Sequence, residues 1–211
     1  MPSQPIKKLI DIFSDFPTIG KRTAQRFVFY LMKQPQDKIN ELILSIQELK
    51  SKISLCKFCF NPFEMNGEPA DLCEICRNPM REKSLLCIVE KEEDLLSIEK
   101  TKKYKGYYFI LGGTVATLKK NNIEELRTRE LDQRLKSPQN FGVDAHFNEI
   151  IIATNPTPEG RTTAILVEKK IRETFADIQM KITHLGLGLP VGGELEYADE
   201  ETLESAFNNR K

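Results

Sequence analysis

Residues 55–79 read L-C-K-F-C-F-N-P-F-E-M-N-G-E-P-A-D-L-C-E-I-C-R-N-P. This stretch holds two C-x2-C pairs, Cys56 with Cys59 and Cys73 with Cys76, and thirteen residues separate the pairs. Two cysteines three positions apart can direct both thiolates at one ion from a tight turn, and two such turns complete a closed tetrahedral shell. The spacing therefore predicts a structural zinc site with four sulfur ligands and one zinc ion per chain.

The four cysteines also allow two other interpretations, a pair of disulfides or a zinc ion that holds a catalytic water. Disulfides suit an oxidising compartment, and the first residues of the chain do not form a recognisable secretory segment. A catalytic zinc needs an open ligand position, whereas all four ligands are sulfur and the two histidines, His146 and His184, lie far along the chain. We favour structural zinc, because the loop-like residues between the pairs, such as Asn66, Gly67 and Pro69, offer little local core.

The chain has 211 residues, of which 40% are hydrophobic, so we expect one sizeable core with small modules attached. No apolar run approaches the roughly 18 residues that cross a bilayer, which predicts a cytoplasmic protein without a membrane partner. Lys+Arg and Asp+Glu both total 31, but the charges are unevenly placed. Residues 1–55 carry nine basic and five acidic residues, whereas residues 186–211 carry two basic and six acidic residues. Any nucleic-acid contact is therefore expected near the basic head.

Two apolar stripes with helical spacing lie near the start of the chain. They are Ile6, Leu9, Ile10 and Phe13, followed by Ala24, Phe27, Val28 and Leu31. Between them, residues 16–24 read F-P-T-I-G-K-R-T-A and resemble a helix-hairpin-helix motif, whose usual core is P-G-I-G-x-x-x-A, with Thr18 in place of the first glycine. We expect Pro17 to end the first helix and Gly20 to adopt a positive φ just before the second.

The start of the second helix is a candidate phosphate site. Backbone N–H groups at a helix N-terminus attract anions, and Lys21 and Arg22 directly follow Gly20. Arg26 lies four residues after Arg22 and shares its helical face. Such a site holds phosphates without reading bases, so it predicts sequence-tolerant, salt-dependent DNA binding. The alternative is an ordinary helical hairpin with solvated charges.

From residue 85 the pattern changes to short buried strands that alternate with helices. The predicted strands are Leu85–Val89, Gly106–Leu111, Glu149–Ala153 and Lys181–Leu185. The predicted helices are Glu92–Lys100, Asn122–Lys136 and Thr163–Phe175, with Asp37–Ile53 before the cysteines and Glu200–Asn208 at the end. This alternation predicts an α/β fold with a mostly parallel sheet, helices on both faces and a functional edge at the carboxyl ends of the strands. The fifth cysteine, Cys87, is expected to be a buried small hydrophobe.

Two strand ends resemble the Toprim domain of topoisomerases, primases and related nucleases. The first strand ends at Glu90, and residues 153–160, A-T-N-P-T-P-E-G, close the third. In catalytic Toprim domains, a glutamate and an Asp-x-Asp at these positions hold magnesium. Asn155 and Thr157 stand at the aspartate positions, with Glu159 as a neighbour, so we expect weak magnesium binding and a Toprim fold kept as a scaffold. The alternative is that Glu90 and Glu159 simply cap a strand and a helix.

The order of these modules resembles the RecR family of recombination mediators over nearly the whole chain. The most specific pieces are the cysteine pairs, A-T-N-P-T-P-E-G, and P-V-G-G-E-L-E-Y at residues 190–197. The sequence departs from the family pattern at Thr18, at His184, where arginine is more usual, and at Lys119–Leu126, where the family tends to carry a glycine-rich stretch.

The resemblance implies four modules. They are a helix-hairpin-helix DNA-binding head over 1–54, a C4 zinc finger over 55–80, a Toprim domain over 81–178, and a C-terminal strand, glycine-punctuated loop and helix over 179–211 that serves oligomerisation. It also implies a non-enzymatic DNA-repair protein, cytoplasmic and nucleoid-associated, that forms a ring-like dimer or tetramer on double- and single-stranded DNA. With RecO and RecF as partners, such proteins help to load recombinase onto gapped single strands.

Carried over by position, the resemblance assigns DNA contacts to Arg22 and Arg26, with Lys21 and Gly20 beside them. It assigns the zinc ligands to the four paired cysteines. It assigns the degenerate Toprim site to Glu90, Asn155, Thr157 and Glu159. Two other functions stay open from the residues alone, a Toprim-type metal-dependent nuclease or nicking enzyme that uses Glu90, and an interaction hub without direct DNA affinity.

Overall fold

A computed structural model of the chain describes residues 3–65, 71–115, 126–176, 180–189, 191–208 and 210. The chain divides into two units, Met1–Ile53 and Ser54–Lys211. Some predicted features lie outside the described residues. They are Asn66, Gly67 and Pro69 between the cysteine pairs, all of Lys119–Leu126 except Leu126, residues 122–125 of one predicted helix, and the expected module boundary at 178/179.

The first unit contains the helices α1 (Gln4–Ser14), α2 (Lys21–Leu31) and α3 (Gln36–Lys52). The two apolar stripes predicted from the sequence meet between α1 and α2, where the Phe13 ring lies edge-on to the Phe27 ring at 5.9 Å. α1 already ends at Ser14, three residues before Pro17, so the proline lies in the connection and does not itself stop the helix. The helical hairpin predicted from hydrophobic spacing is confirmed.

The connection between α1 and α2 corrects the expectation for Gly20. Thr18 has the positive φ, at 64°, whereas Gly20 has a φ of −84° and is the N-cap residue of α2. The Ile19 N–H donates to the Phe16 carbonyl oxygen at 3.1 Å and closes a β-turn with Pro17 second and Thr18 third. A type II turn needs a positive φ at its third residue, so the turn places the left-handed residue two positions before the glycine.

Replacing Thr18 with glycine is expected to raise the free energy of unfolding by about 0.5–1 kcal/mol, because a β-branched side chain is strained at a positive φ. Gly20→Ala is the control. A Cβ at Gly20 would meet no atom within 4 Å, so this change should alter the free energy of unfolding by about 0.5 kcal/mol or less. Equilibrium urea unfolding measures both. A Thr18→Gly protein less stable than the Gly20→Ala protein would contradict the assignment of the left-handed residue.

The main sheet contains the strands β3 (Leu85–Val89), β4 (Tyr107–Ile110), β5 (Glu149–Ala153) and β6 (Lys181–His184). They are parallel and lie in the order β4, β3, β5, β6. Their bounds agree with the predicted strands to within one residue. Val89 pairs with Ala153, which places the carboxyl ends of β3 and β5 side by side. The predicted parallel sheet with a shared carboxyl edge is confirmed.

Helices cover both faces of this sheet, as the alternation predicts. On one face, α5 (Glu92–Lys100) packs through Leu95 against Cys87 and Val89. On the other face, α6 (Thr128–Lys136) and α7 (Pro158–Thr174) contribute Leu131 and Val167 to a second, larger core. Within the described ranges, no helix combines the length and apolarity needed to cross a membrane.

The cysteine module packs on the same face as α6 and α7. It contains a two-stranded sheet of β1 (Ile53–Leu55) and β2 (Pro62–Glu64), followed by the short helix α4 (Glu74–Arg77). The Ile110 N–H of β4 donates to the Cys59 carbonyl oxygen at 3.1 Å. The module therefore lies along the outer edge of β4, which ends the strand order.

The C-terminal segment contains a single 3-10 turn at Leu195–Tyr197, followed by α8 (Glu200–Asn208). The position of α8 confirms the predicted last helix. Arg161 of α7 pairs with Glu201 at 2.6 Å. This ion pair holds α8 near the carboxyl edge of the sheet. Arg161 and Glu201 line a cleft of about 540 Å³ there, together with Thr154 and Asn155. The C-terminal segment thus borders the strand ends where the Toprim resemblance lies.

Candidate functional site

The four paired cysteines form one buried cluster. Cys56, Cys59, Cys73 and Cys76 are each at most 4% exposed, and their Sγ atoms all lie within 4.8 Å of one another. The Sγ atoms of Cys59 and Cys73 are 3.6 Å apart, near the roughly 3.8 Å set by a tetrahedral shell with metal–sulfur bonds of about 2.3 Å. Across the described ranges, no other group of three or more cysteine, histidine or acidic side chains is placed to hold a metal. The donor set and its geometry fit zinc.

Backbone hydrogen bonds hold the first cysteine turn in shape. The Phe60 N–H donates to the Cys56 carbonyl oxygen at 3.0 Å, and the Asn61 N–H donates to the Cys59 sulfur at 3.4 Å. The second pair lies at the start of α4, with Cys73 as its N-cap residue. An N–H group that points at sulfur stabilises the thiolate form, which is the form that binds a metal.

Hydrogen bonds among the four buried cysteines shift their pKa values in different directions. Hydrogen bonding, led by Cys59, lowers the pKa of Cys56, while hydrogen bonding led by Cys56 raises the pKa of Cys59 and Cys76. Metal binding at this cluster must therefore release protons. In the described chain the cysteines form no disulfide, and the 3.6 Å between the sulfurs of Cys59 and Cys73 far exceeds an S–S bond of about 2.05 Å.

Cys87 is separate from this cluster. It lies in β3, is buried and belongs to the core on the α5 face of the sheet. Burial raises its pKa to about 12, so the side chain stays a neutral thiol near neutral pH. The expectation that Cys87 acts as a small hydrophobe is confirmed.

Glu90 and Asn155 meet at the carboxyl edge of the sheet. Glu90 follows β3, is 5% exposed and accepts two hydrogen bonds from Asn155. The Asn155 backbone N–H donates to Glu90 Oε1 at 2.9 Å, and Asn155 Nδ2 donates to Glu90 Oε2 at 2.7 Å. The amide side chain thus satisfies the carboxylate directly, at the position where an aspartate would repel it and would require a cation between them.

Thr157 and Glu159 do not join this contact. The Thr157 side chain caps α7 by accepting a hydrogen bond from the Gly160 N–H at 3.1 Å, and Pro158 takes the first helical position. This is why α7 begins before the predicted Thr163. The Glu159 side chain is exposed. The alternative that Glu159 caps a helix is met only in part, because the Thr157 hydroxyl is the N-cap and Glu159 lies in the first turn of α7.

Gly160 is a site residue that the sequence interpretation missed. A Cβ built there would lie 2.1 Å from the Asn155 carbonyl oxygen and 2.6 Å from Glu90 Oε1. Only a glycine lets α7 approach the Glu90–Asn155 pair this closely. The available signal was the glycine that follows Glu159 at the start of a helix, where glycine is otherwise unfavourable.

The candidate phosphate site lies in the first unit, at the N-terminus of α2. Gly20, Lys21, Arg22 and Arg26 are all exposed. The helix start has no side-chain cap and no acidic residue in its first turn. Within the part of the chain that the structure describes, none of the three basic side chains forms an ion pair with a carboxylate. The helix dipole and the cations therefore face solvent together.

A helix-hairpin-helix head, a buried four-cysteine cluster and a four-stranded parallel sheet with one acidic strand end define a multi-module protein of the Toprim class. Three family models match parts of the chain. Residues 6–50 match the RecR helix-hairpin-helix, residues 84–185 match the Toprim domain, and residues 188–211 match the RecR C-terminal model.

The chain belongs to the RecR family, which confirms the resemblance drawn from its motifs. It is 39% identical to Recombination protein RecR of Cutibacterium acnes over 206 residues, which cover 98% of this chain and 94% of that protein. It is 39% identical to Recombination protein RecR of Rubrobacter xylanophilus over 209 residues, covering 99% and 97%. The protein of the same name from Clostridium perfringens is 36% identical over 205 residues, covering 97% and 95%.

Replacing Gly160 with alanine is expected to lower the free energy of unfolding by about 2 kcal/mol or more, because the added methyl group overlaps the Asn155 backbone and displaces Glu90. Gly186→Ala and Gly188→Ala are matched controls, since a Cβ at either position would meet nothing within 4 Å. Urea unfolding of the three variants measures the difference. Equal stability of all three would contradict the close approach of α7 to the strand ends.

Proposed function

We propose that this protein is a non-enzymatic recombination mediator in DNA repair, cytoplasmic and nucleoid-associated. As a ring-like homo-oligomer, dimer or tetramer, it binds double- and single-stranded DNA without sequence specificity. With RecO and RecF it promotes recombinase loading on gapped single-stranded DNA. Membership of the RecR family supports this role. The four modules at 1–54, 55–80, 81–178 and 179–211 are part of the proposal, with the head and the C-terminal segment serving oligomerisation.

The observation that carries the DNA-binding part is the open N-terminus of α2. Its uncapped backbone N–H groups form an anion site, and Lys21, Arg22 and Arg26 add positive charge around it. Gly20 has no side chain to obstruct an anion, and apart from its chain neighbours no atom lies within 4 Å of the place that a Cβ would take. Such contacts position a sugar–phosphate backbone and carry no base information, so binding is sequence-tolerant.

The double variant Arg22→Ala/Arg26→Ala is expected to bind DNA at least 10-fold more weakly at low salt and to reduce the slope of log affinity against log salt by about two, because two phosphate contacts are lost. Lys50→Ala/Lys52→Ala removes the same charge from the far end of α3 and is the control. Fluorescence anisotropy with duplex and single-stranded oligonucleotides across a salt series measures both.

An unchanged salt slope in the Arg22→Ala/Arg26→Ala variant would exclude the α2 N-terminus as the DNA site. Absence of DNA binding by the unmodified protein at any salt concentration would favour the remaining alternative, an interaction hub that acts only through protein partners. The two results are distinct, because the first compares variants and the second concerns the parent chain.

The Glu90–Asn155 pair supports the non-enzymatic part. Magnesium sheds water reluctantly and prefers anionic oxygen ligands, whereas this site holds one buried carboxylate whose two oxygens already accept hydrogen bonds from Asn155. Thr157 is engaged as the cap of α7. Among the residues that the structure describes, the site therefore lacks the paired carboxylates that a metal-dependent phosphoryl transfer would use.

Supercoiled, nicked and gapped DNA should stay intact when incubated with the purified protein in magnesium or manganese. Agarose and denaturing gel electrophoresis measure the products. Glu90→Gln, which keeps the size of the side chain, is the control for a contaminating nuclease. Cleavage by the parent protein that disappears in Glu90→Gln would establish the alternative, a Toprim-type nuclease or nicking enzyme.

We also propose one structural zinc ion per chain, with Cys56, Cys59, Cys73 and Cys76 as its ligands. The four sulfurs complete the shell, so the ion has no position for a catalytic water. In this role the metal stabilises the module between β1 and α4 and takes no part in chemistry on DNA.

A further inference from the structure

The first cysteine turn carries a strained aromatic residue. Phe60, directly after Cys59, has a φ of 67°, which is rare for a bulky side chain. Its ring packs edge-on to Phe109 at 5.6 Å. The guanidinium carbon of Arg127 lies 4.4 Å from the ring centre, and that of Arg134 lies 4.7 Å from it. The strain is therefore offset by contacts between the ring, the sheet and two cations.

Arg134 is the more buried of these cations. It lies on α6, is 6% exposed, and also stacks over Phe141 at 4.0 Å. Its Nη2 donates to the carbonyl oxygen of Lys57 at 3.0 Å, and Lys57 stands between the first two cysteines. Its Nη1 donates to the Glu130 carbonyl oxygen at 3.3 Å. The guanidinium group is thus fixed against the backbone of the cysteine turn.

This buried cation forms no ion pair with a carboxylate within 4 Å among the described residues, although the Glu130 carboxylate attracts it over a longer distance. The Glu130 contact uses the backbone oxygen, and Arg134 Nε is buried without a hydrogen bond. Arg127 likewise donates to a backbone oxygen, that of Ile110, at 3.1 Å. A buried charge is costly unless an opposite charge lies nearby. The cysteine cluster can supply that opposite charge.

A zinc ion bound by four thiolates carries a net charge of about −2, since the ion brings two positive and the sulfurs four negative charges. Burying that anionic centre also requires compensation. Outer groups that neutralise or hydrogen-bond a metal's ligands tune the affinity for the metal. Two arginines held against Phe60 and the Lys57 carbonyl are suitably placed.

We infer that Arg134, assisted by Arg127, is a positioning residue that supplies positive charge beside the four-cysteine metal centre. The bound metal and helix α6 of the Toprim domain therefore stabilise each other. The inference rests on the proposal that the cluster binds zinc. Because coupling between two sites is reciprocal, loss of Arg134 weakens metal binding, and loss of metal leaves Arg134 a buried charge that destabilises α6.

The test measures zinc affinity of the full-length protein by competition with a chromogenic chelator. Arg134→Met keeps much of the volume and removes the charge, and it is expected to weaken zinc binding at least 10-fold, the lower end of the range for outer partners of metal ligands. Arg134→Lys keeps the positive charge but loses the planar stacking on Phe60 and Phe141. Its zinc affinity should lie between those of the parent chain and Arg134→Met. Lys136→Met, which removes an exposed cation from the same helix, is the control and should change zinc affinity less than about 2-fold.

A second measurement separates this role from ordinary packing. The shift in unfolding midpoint between zinc-loaded and chelated protein should be smaller in Arg134→Met than in the parent chain. Weaker zinc binding to the folded protein stabilises it less. If Arg134→Met does not fold, Arg127→Met, at a less buried position, should show the same loss of zinc affinity to a smaller degree.

Equal zinc affinities in Arg134→Met and Lys136→Met, or equal destabilisation of the loaded and chelated forms, would overturn the inference and leave Arg134 a packing residue. A parent chain that binds less than one zinc ion, by elemental analysis, would instead overturn the zinc assignment on which the inference rests. The two failures are therefore distinguishable.

Discussion

A parallel strand in the middle of a sheet has no face that can be left in water. β3 is such a strand, with β4 on one side and β5 on the other, and four of its five residues are buried. Both faces of the sheet must therefore be covered by other parts of the chain. α5 covers one face, whereas α6, α7 and the cysteine module share the other. Since all strands run the same way, their carboxyl ends meet at one edge, which is where Glu90 and Asn155 come into contact.

That contact shows how a Toprim fold can keep its shape without a metal at the strand ends. Two facing carboxylates would repel each other in a buried site unless a cation lay between them. Asn155 replaces one of the charges with two N–H donors, and both Glu90 oxygens accept hydrogen bonds. Gly160 then allows α7 to pack directly on the pair. The strand ends are held together by neutral donors, so the fold needs no ion there.

The sequence was most informative where hydrophobic pattern and ligand spacing act locally. The strands were predicted to within one residue, because each is a continuous apolar run bounded by turn residues. Backbone geometry was harder. Gly20 was expected at positive φ, but the hydrogen bond that closes the turn at Ile19 places Thr18 there. Pro158 was not recognised as the first residue of α7, since a proline can begin a helix or break one.

Side-chain contacts that depend on how one module docks on another could not be predicted from local pattern. Arg134 looks like a surface residue of a polar helix, yet it is buried beside Phe60, far away in sequence. Its environment depends on how the cysteine module docks on the sheet, which no spacing rule specifies. The same holds for Gly160, whose role depends on the position of Asn155 in the fold.

The hydrogen bond from the Ile110 amide to the Cys59 carbonyl has a consequence for solubility. β4 ends the strand order, and an outer strand with unpaired amides is a template for joining another polypeptide. The cysteine turn shields part of that border. Loss of the shape of the cysteine turn would expose these backbone groups of β4 and would favour aggregation of folded chains through this strand.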